Sequence, residues 1–138
     1  MKFFVNGPVT NEIISNMHSG LFDEMNSGAA ATFIGKVRED KTGNASVCGI
    51  IYSAYLNMAE IEIQKLADEI TEKYQLTKVI IQHSLGTVKA GEMSLFAAVT
   101  STHRKEAFGA IEEIVERLKT EVPIWKKEIW SDNSHKWV

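Results

Sequence analysis

The chain holds a single cysteine, Cys48, so no internal disulfide can form. It has no run of about 18 apolar residues and no charged-then-apolar leader, so the expectation is a soluble, cytoplasmic protein with no membrane partner. A basic excess is missing too. Fifteen Lys and Arg against 18 Asp and Glu leave a net charge of −3, which argues against general binding to nucleic acid or to a membrane surface. Any anion site must therefore be a local cluster. His83 and His135 have no partners at metal-ligand spacing, so no metal is assigned. Gly86 and Gly91 bracket an expected turn between strands and do not open a helix, so there is no nucleotide-binding fingerprint. Repeats and low-complexity segments are also lacking.

What is present suits one globular domain spanning residues 1–138: 44% of the chain is hydrophobic and 24% charged. Lys2 to Asn6 reads as a strand stopped by Gly7-Pro8. Thr10 can cap a short helix with Ile13, Ile14 and Met17 on its apolar side. Ala29 to Val37 reads as a strand of small and β-prone residues, and Glu39 to Ser46 as a polar, mobile turn leading into a strand from Val47 to Tyr55. Asn57 and Glu60 have capping-box spacing before a helix to Tyr74, whose acidic residues read as a solvated face. Val79 to Leu85 and Met93 to Thr102 read as a hairpin joined through 86–91. A second long helix carries Ala107, Ile111, Ile114, Val115, Leu118 and Val122 as its buried stripe, and a strand from Ile124 to Trp130 follows. The order β-α-β-β-α-β-β-α-β, with two long helices, predicts an α+β domain on a mainly antiparallel sheet.

The candidate chemistry lies at three places. Pro123 must end the second long helix near Val122 and send the chain out extended, which holds Lys119 and Lys126 on either side of a rigid joint. Strand alternation puts Lys126 on one face with Ile124 and Glu128, and Lys127 on the other with Trp125 and Ile129. His103 and Arg104 stand at a strand-to-helix junction, where free N–H groups and the helix dipole favour an anion. The plainer reading is that Thr102 caps that helix and Arg104 is only exposed. Lys36 and Arg38 end the small-residue strand, as ligands or as ordinary strand-end charge. Cys48, mid-strand among apolar neighbours, is expected in the core.

Three segments carry a resemblance: Ala31-Thr32-Phe33-Ile34-Gly35-Lys36-Val37-Arg38, Val99-Thr100-Ser101-Thr102-His103-Arg104-Lys105-Glu106-Ala107-Phe108, and Leu118-Lys119-Thr120-Glu121-Val122-Pro123-Ile124-Trp125-Lys126-Lys127-Glu128. In order and spacing, from about Phe3 to Trp137, the chain resembles the large, catalytic subunit of molybdopterin synthase, the MoaE family. The resemblance implies an α/β hammerhead-type fold and a sulfurtransferase. Its substrate would be cyclic pyranopterin monophosphate (precursor Z), which becomes molybdopterin by gaining a dithiolene. The sulfur would come from a thiocarboxylate on the C-terminal Gly-Gly of a small ubiquitin-like partner subunit. The implied assembly is a heterotetramer built on a homodimer of large subunits, and no cofactor, metal or cysteine nucleophile is implied.

Carried over by residue, Lys119 and Lys126 match the lysines of the family's reaction centre, while Arg38, His103 and Arg104 match its anion-binding residues. Lys119 is then the first candidate for proton transfer and for stabilising the tetrahedral adduct, with Lys126 assisting. Family members usually continue with a longer polar tail past the position of Val138, so no tail contribution to a neighbouring subunit's pocket is carried over. The rival expectation is a non-catalytic module binding a ubiquitin-like tail or a phosphorylated metabolite.

Overall fold

A computed structural model describes residues 1–138. Two long helices, α2 (Leu56–Tyr74) and α3 (Arg104–Glu121), lie side by side across a twisted sheet. Their 3.6-residue stripes, Ile63, Leu66 and Ile70 on one and Ala110, Ile114 and Leu118 on the other, close on Ile81, Ala97 and Val99 of the sheet as the main core. The short helix α1 (Asn11–His18) covers the opposite face, where Ile13, Ile14 and Met17 pack around Leu21 and Phe96. Its cap is as the sequence predicts, with the Ile13 amide donating to Thr10 Oγ1 at 3.2 Å.

The sheet is antiparallel except for β1 (Phe4–Asn6), which runs parallel to β5 (Lys78–Lys89). The other strands are β2 (Ala29–Lys36), β3 (Lys41–Thr42), β4 (Ala45–Ala54), β6 (Met93–Ser101), β7 (Ile124–Trp130) and β8 (His135–Trp137). The path across the sheet is β2-β6-β5-β4-β7-β8, with β3 folded back on β4. The α+β, mainly antiparallel architecture is thus the one expected, with three helices on eight strands.

Four local expectations are corrected. The segment 86–89 is strand, and only Ala90-Gly91 turns. Gly86 adopts φ +83, a conformation open to glycine, and bends β5 so that Lys78–His83 pair with β6 while Gly86–Lys89 pair with β4. The Asn57–Glu60 capping box does not form. Tyr55 is the N-cap, without a side-chain bond, and Asn57 lies inside the helix. Glu60 turns instead to the N-terminus and accepts the amides of Lys2 at 3.0 Å and Phe3 at 3.3 Å. Cys48 is exposed, not buried. Val47 and Gly49 are buried and Cys48 between them faces out, as alternation along a strand requires; the register of β4 against β7 also shifts between Val47 and Gly49. Finally, β8 was unforeseen: Asn133 at φ 68 turns the chain back onto β7, and all three β8 residues are exposed and leave no apolar alternation to read.

Candidate functional site

Helix α3 ends one residue short of Val122, which is already extended at φ −91, ψ 134 ahead of Pro123. Val122 is buried and the Tyr55 amide donates to Pro123 O at 3.3 Å, so both sides of the joint are anchored. Leu118 points into the core, and Lys119, the next residue, is left exposed at the helix end. Across the joint, β7 pairs with β4 so that Lys126 lies opposite Tyr52, Glu128 opposite Ile50 and Ile124 opposite Ala54. Ile124, Lys126 and Glu128 therefore face one cleft. Lys127 leaves by the other face and sets its Nζ 5.1 Å over the Trp137 ring.

The cleft has a volume of about 660 Å³ and opens where β5 passes from β6 to β4. One wall runs from Phe33 to Arg38, across the end of β2 and into the loop beyond; the floor carries Tyr52, His83 and Ser94. Lys36, Arg38, Lys119 and Lys126 line the cleft against only Asp40 and Glu128, so an acidic chain concentrates positive charge here. Arg38 keeps one loose, exposed ion pair, Nε to Asp40 at 3.5 Å, which is worth little in water. Lys126 is half-buried. Burial, then the charges of Lys119 and Arg38, lower its pKa, and Glu128 opposes them in part. His83 is pushed down to about 4, first by burial, with Lys126 adding repulsion against a bond from its ring to a backbone carbonyl. Burial raises the Tyr52 phenol, partly offset by the Ser94 hydroxyl.

Of the residues singled out in the sequence, the cleft brings together Arg38, Lys119 and Lys126, with Lys36 beside them. His103 and Arg104 are elsewhere. Arg104 opens α3 and Lys119 lies in its last turn, so the two stand about 22 Å apart at 1.5 Å per residue. Ser101, two residues before His103, pairs with Ala29 at the far end of β2, whereas Lys36 pairs with Met93 at the cleft end. His103 lines a separate hollow with Lys73, Tyr74 and Glu106. Thr102 does not cap α3; His103 occupies the cap position without a side-chain bond, and Ser101 Oγ donates to His103 O at 2.5 Å. The floor residues Tyr52, His83 and Ser94 were not picked out by sequence. A signal for His83 was available: Gln82-His83-Ser84 is a polar triplet inside the otherwise apolar run Val79–Leu85, and all three are buried.

No three His, Cys, Asp or Glu side chains converge, and no helix is long and apolar enough to cross a membrane. Comparison with known proteins gives a consistent result. The MoaE protein family profile matches residues 9–121. The molybdopterin synthase catalytic subunit of Staphylococcus carnosus (strain TM300) is 38% identical over 130 residues, 94% of this chain and 85% of that protein. The crystal structure of molybdopterin synthase from Staphylococcus aureus superposes with a TM-score of 0.87 at 37% identity, over 100% of this chain and 97% of that one. A complex of subunits 1 and 2 of molybdopterin-converting factor from Helicobacter pylori 26695 shares the fold, with a TM-score of 0.81 at 23% identity over 99% of this chain and 88% of that one.

Proposed function

Because this chain belongs to the MoaE protein family, we propose that it is the catalytic subunit of a molybdopterin synthase, transferring sulfur from the C-terminal thiocarboxylate of a small ubiquitin-like partner to precursor Z. The observation that carries this reading is the cleft itself, four cations gathered on an acidic chain around a half-buried lysine. A thiocarboxylate and a phosphate repel each other, and a cationic cleft lowers the cost of bringing them together. In each transfer the thiocarboxylate sulfur bonds to a substrate carbon as an oxygen group (water or phosphate) leaves it. Water then adds to the acyl carbon of the resulting thioester and the tail's C–S bond breaks, leaving sulfur on the substrate and a carboxylate on the tail. Protons must move as that happens. Lys126 suits this task better than Lys119, because burial and its cationic neighbours already destabilise its ammonium. Lys119, exposed at the rim, meets the incoming tail and holds the charge of the tetrahedral adduct, and Arg38 binds substrate anion.

His103 and Arg104 serve the same reaction centre only if a second copy supplies them, since about 22 Å of helix separates Arg104 from Lys119 in one chain. A homodimer can do this through β2. That strand is at the sheet edge with its outer side unpaired, and Ala30, Thr32 and Ile34 face outward. Antiparallel pairing of two β2 edges sets the Ala29 end of one strand, beside its own His103, against the Lys36–Arg38 end of the other.

The test is incubation with thiocarboxylated partner and precursor Z, read out as dithiolene product by mass. Lys119→Ala and Lys126→Ala should abolish product while partner binding persists. Tight partner binding with no conversion by the unaltered protein would leave only a binding module. Mixing Lys126→Ala with a His103→Ala/Arg104→Ala double variant should restore turnover, because a mixed dimer has one intact cleft. If the mixture stays inactive, the shared cleft is wrong.

A further inference from the structure

The rim of the cleft is cationic, but its floor is neutral and polar, and His83 is held there on several sides. It sits where three strands meet: paired with Phe4 of β1 and Leu95 of β6, with its own amide donating to Phe3 O at 2.8 Å. Its ring is held edge-on to Tyr52 at 5.1 Å and tilted to Phe4 at 5.9 Å, measured between ring centres. Nδ1 lies 2.8 Å from Ser84 O. A carbonyl oxygen can only accept, so Nδ1 carries the hydrogen and Nε2 is left with a lone pair. No group of the fold donates to Nε2. Nor is it among the sealed, unpartnered polar atoms, which are Ser84 Oγ and Glu106 Oε2. The free nitrogen of this buried ring therefore opens to the cleft that His83 lines.

We propose that His83 is a specificity-determining residue whose Nε2 accepts a hydrogen bond from an N–H or O–H on the uncharged part of the cleft's occupant, while the rim cations hold its anionic part. A base role fits less well. With a folded pKa of about 4, only about one ring in a thousand is protonated at pH 7, and such a weak base gains little in proton transfer. As a fixed neutral acceptor it loses nothing by that. The rim cations would repel a second positive group, so a neutral donor is the chemistry the floor can take. This inference rests on the proposed function in naming the occupant as precursor Z, a reduced pterin carrying several N–H donors.

The experiment uses the unaltered protein, His83→Phe and His83→Gln, with precursor Z binding followed by calorimetry in the absence of the thiocarboxylate, and kcat and KM followed in its presence. His83→Phe should weaken precursor Z binding and raise KM by about 10- to 100-fold, the cost of leaving a buried donor unpaired. Its kcat should stay within about threefold, with partner affinity unchanged. His83→Gln, which can still offer an acceptor, should recover much of the loss. Unchanged binding in His83→Phe, a fall in kcat with KM unchanged, or no recovery by His83→Gln would each overturn the assignment. A measurement on the unaltered protein covers the case of a variant that does not fold: the ¹⁵N resonance of His83 Nε2 should move toward the hydrogen-bonded range on adding precursor Z, and no movement overturns the proposal. If precursor Z binds and His83→Phe weakens it, but no dithiolene forms, the sulfur-transfer reading fails and the role of His83 stands.

Discussion

Acidification should destabilise the folded protein through His83 by an amount that can be worked out. The folded pKa is about 4 against an ordinary value of 6.5. The neutral ring is therefore favoured in the fold, and the unfolded chain binds more protons between those two values. Stability is lost as the pH falls through 6.5 and the loss levels off near 4, where the folded ring also takes up its proton. Between pH 7 and pH 4 the difference amounts to about 3 kcal/mol, from 1.36 kcal/mol per unit. The ring is buried beside Phe4 and Tyr52, and the charge it faces is that of Lys126, so nothing nearby would welcome an imidazolium. Carboxylates titrate over the same range, so the comparison must be between the unaltered protein and His83→Gln. Urea unfolding of both at half-unit steps from pH 7 to 4 should give two curves that converge by about 3 kcal/mol. Curves that stay parallel would mean that His83 titrates normally in the fold, and the account of a neutral floor would be wrong.

Lys126→Arg keeps a positive charge but cannot lose a proton, so turnover should drop about 10²- to 10⁴-fold while partner binding, measured by calorimetry, is retained; a fall of less than about tenfold would move the proton chemistry elsewhere. Cys48→Ala should leave turnover unchanged and stability within about 0.5 kcal/mol, and the native protein should take up maleimide, since the thiol is exposed; loss of activity without unfolding would show that the thiol takes part in the reaction. Glu60→Ala removes the carboxylate that accepts from the Lys2 and Phe3 amides and should cost about 1–3 kcal/mol in urea unfolding; an unmoved midpoint would show those bonds to be idle. Gly49→Ala would set a Cβ 2.8 Å from Val88 O, a backbone atom that cannot swing aside, and a loss of about 1–3 kcal/mol is expected, checked by thermal melting.

Periodicity carried most of the fold. The spacing of Ala107, Ile114 and Leu118 named the buried face of α3 because a helix repeats every 3.6 residues whatever it packs against. Alternation likewise told Lys126 from Lys127, and the fixed φ of Pro123 marked the joint between them and Lys119. Local rules failed where a distant partner intervened. Glu60 had capping-box spacing, but the amides it accepts belong to residues 57 and 58 positions away. Gly86 looked like a strand end because glycine usually stops strands, yet here it bends one strand so that it can serve two neighbours. For Cys48 the failure was of another kind: its apolar neighbours suggested the core, but alternation along β4 buries Val47 and Gly49 and turns the residue between them outward.

By itself, then, the sequence determined the three helices, most of the strands and the three segments that resemble the MoaE family, because those depend on residues close together along the chain. Only the tertiary structure decided that Arg38 after β2, His83 on β5, Lys119 at the end of α3 and Lys126 on β7 share one cleft, and that His103 and Arg104 do not lie in it. The reason is strand order. The cleft exists because β5 lies between β6 and β4 and changes partner at Gly86, and such pairings between distant segments are chosen by the packing of the whole sheet.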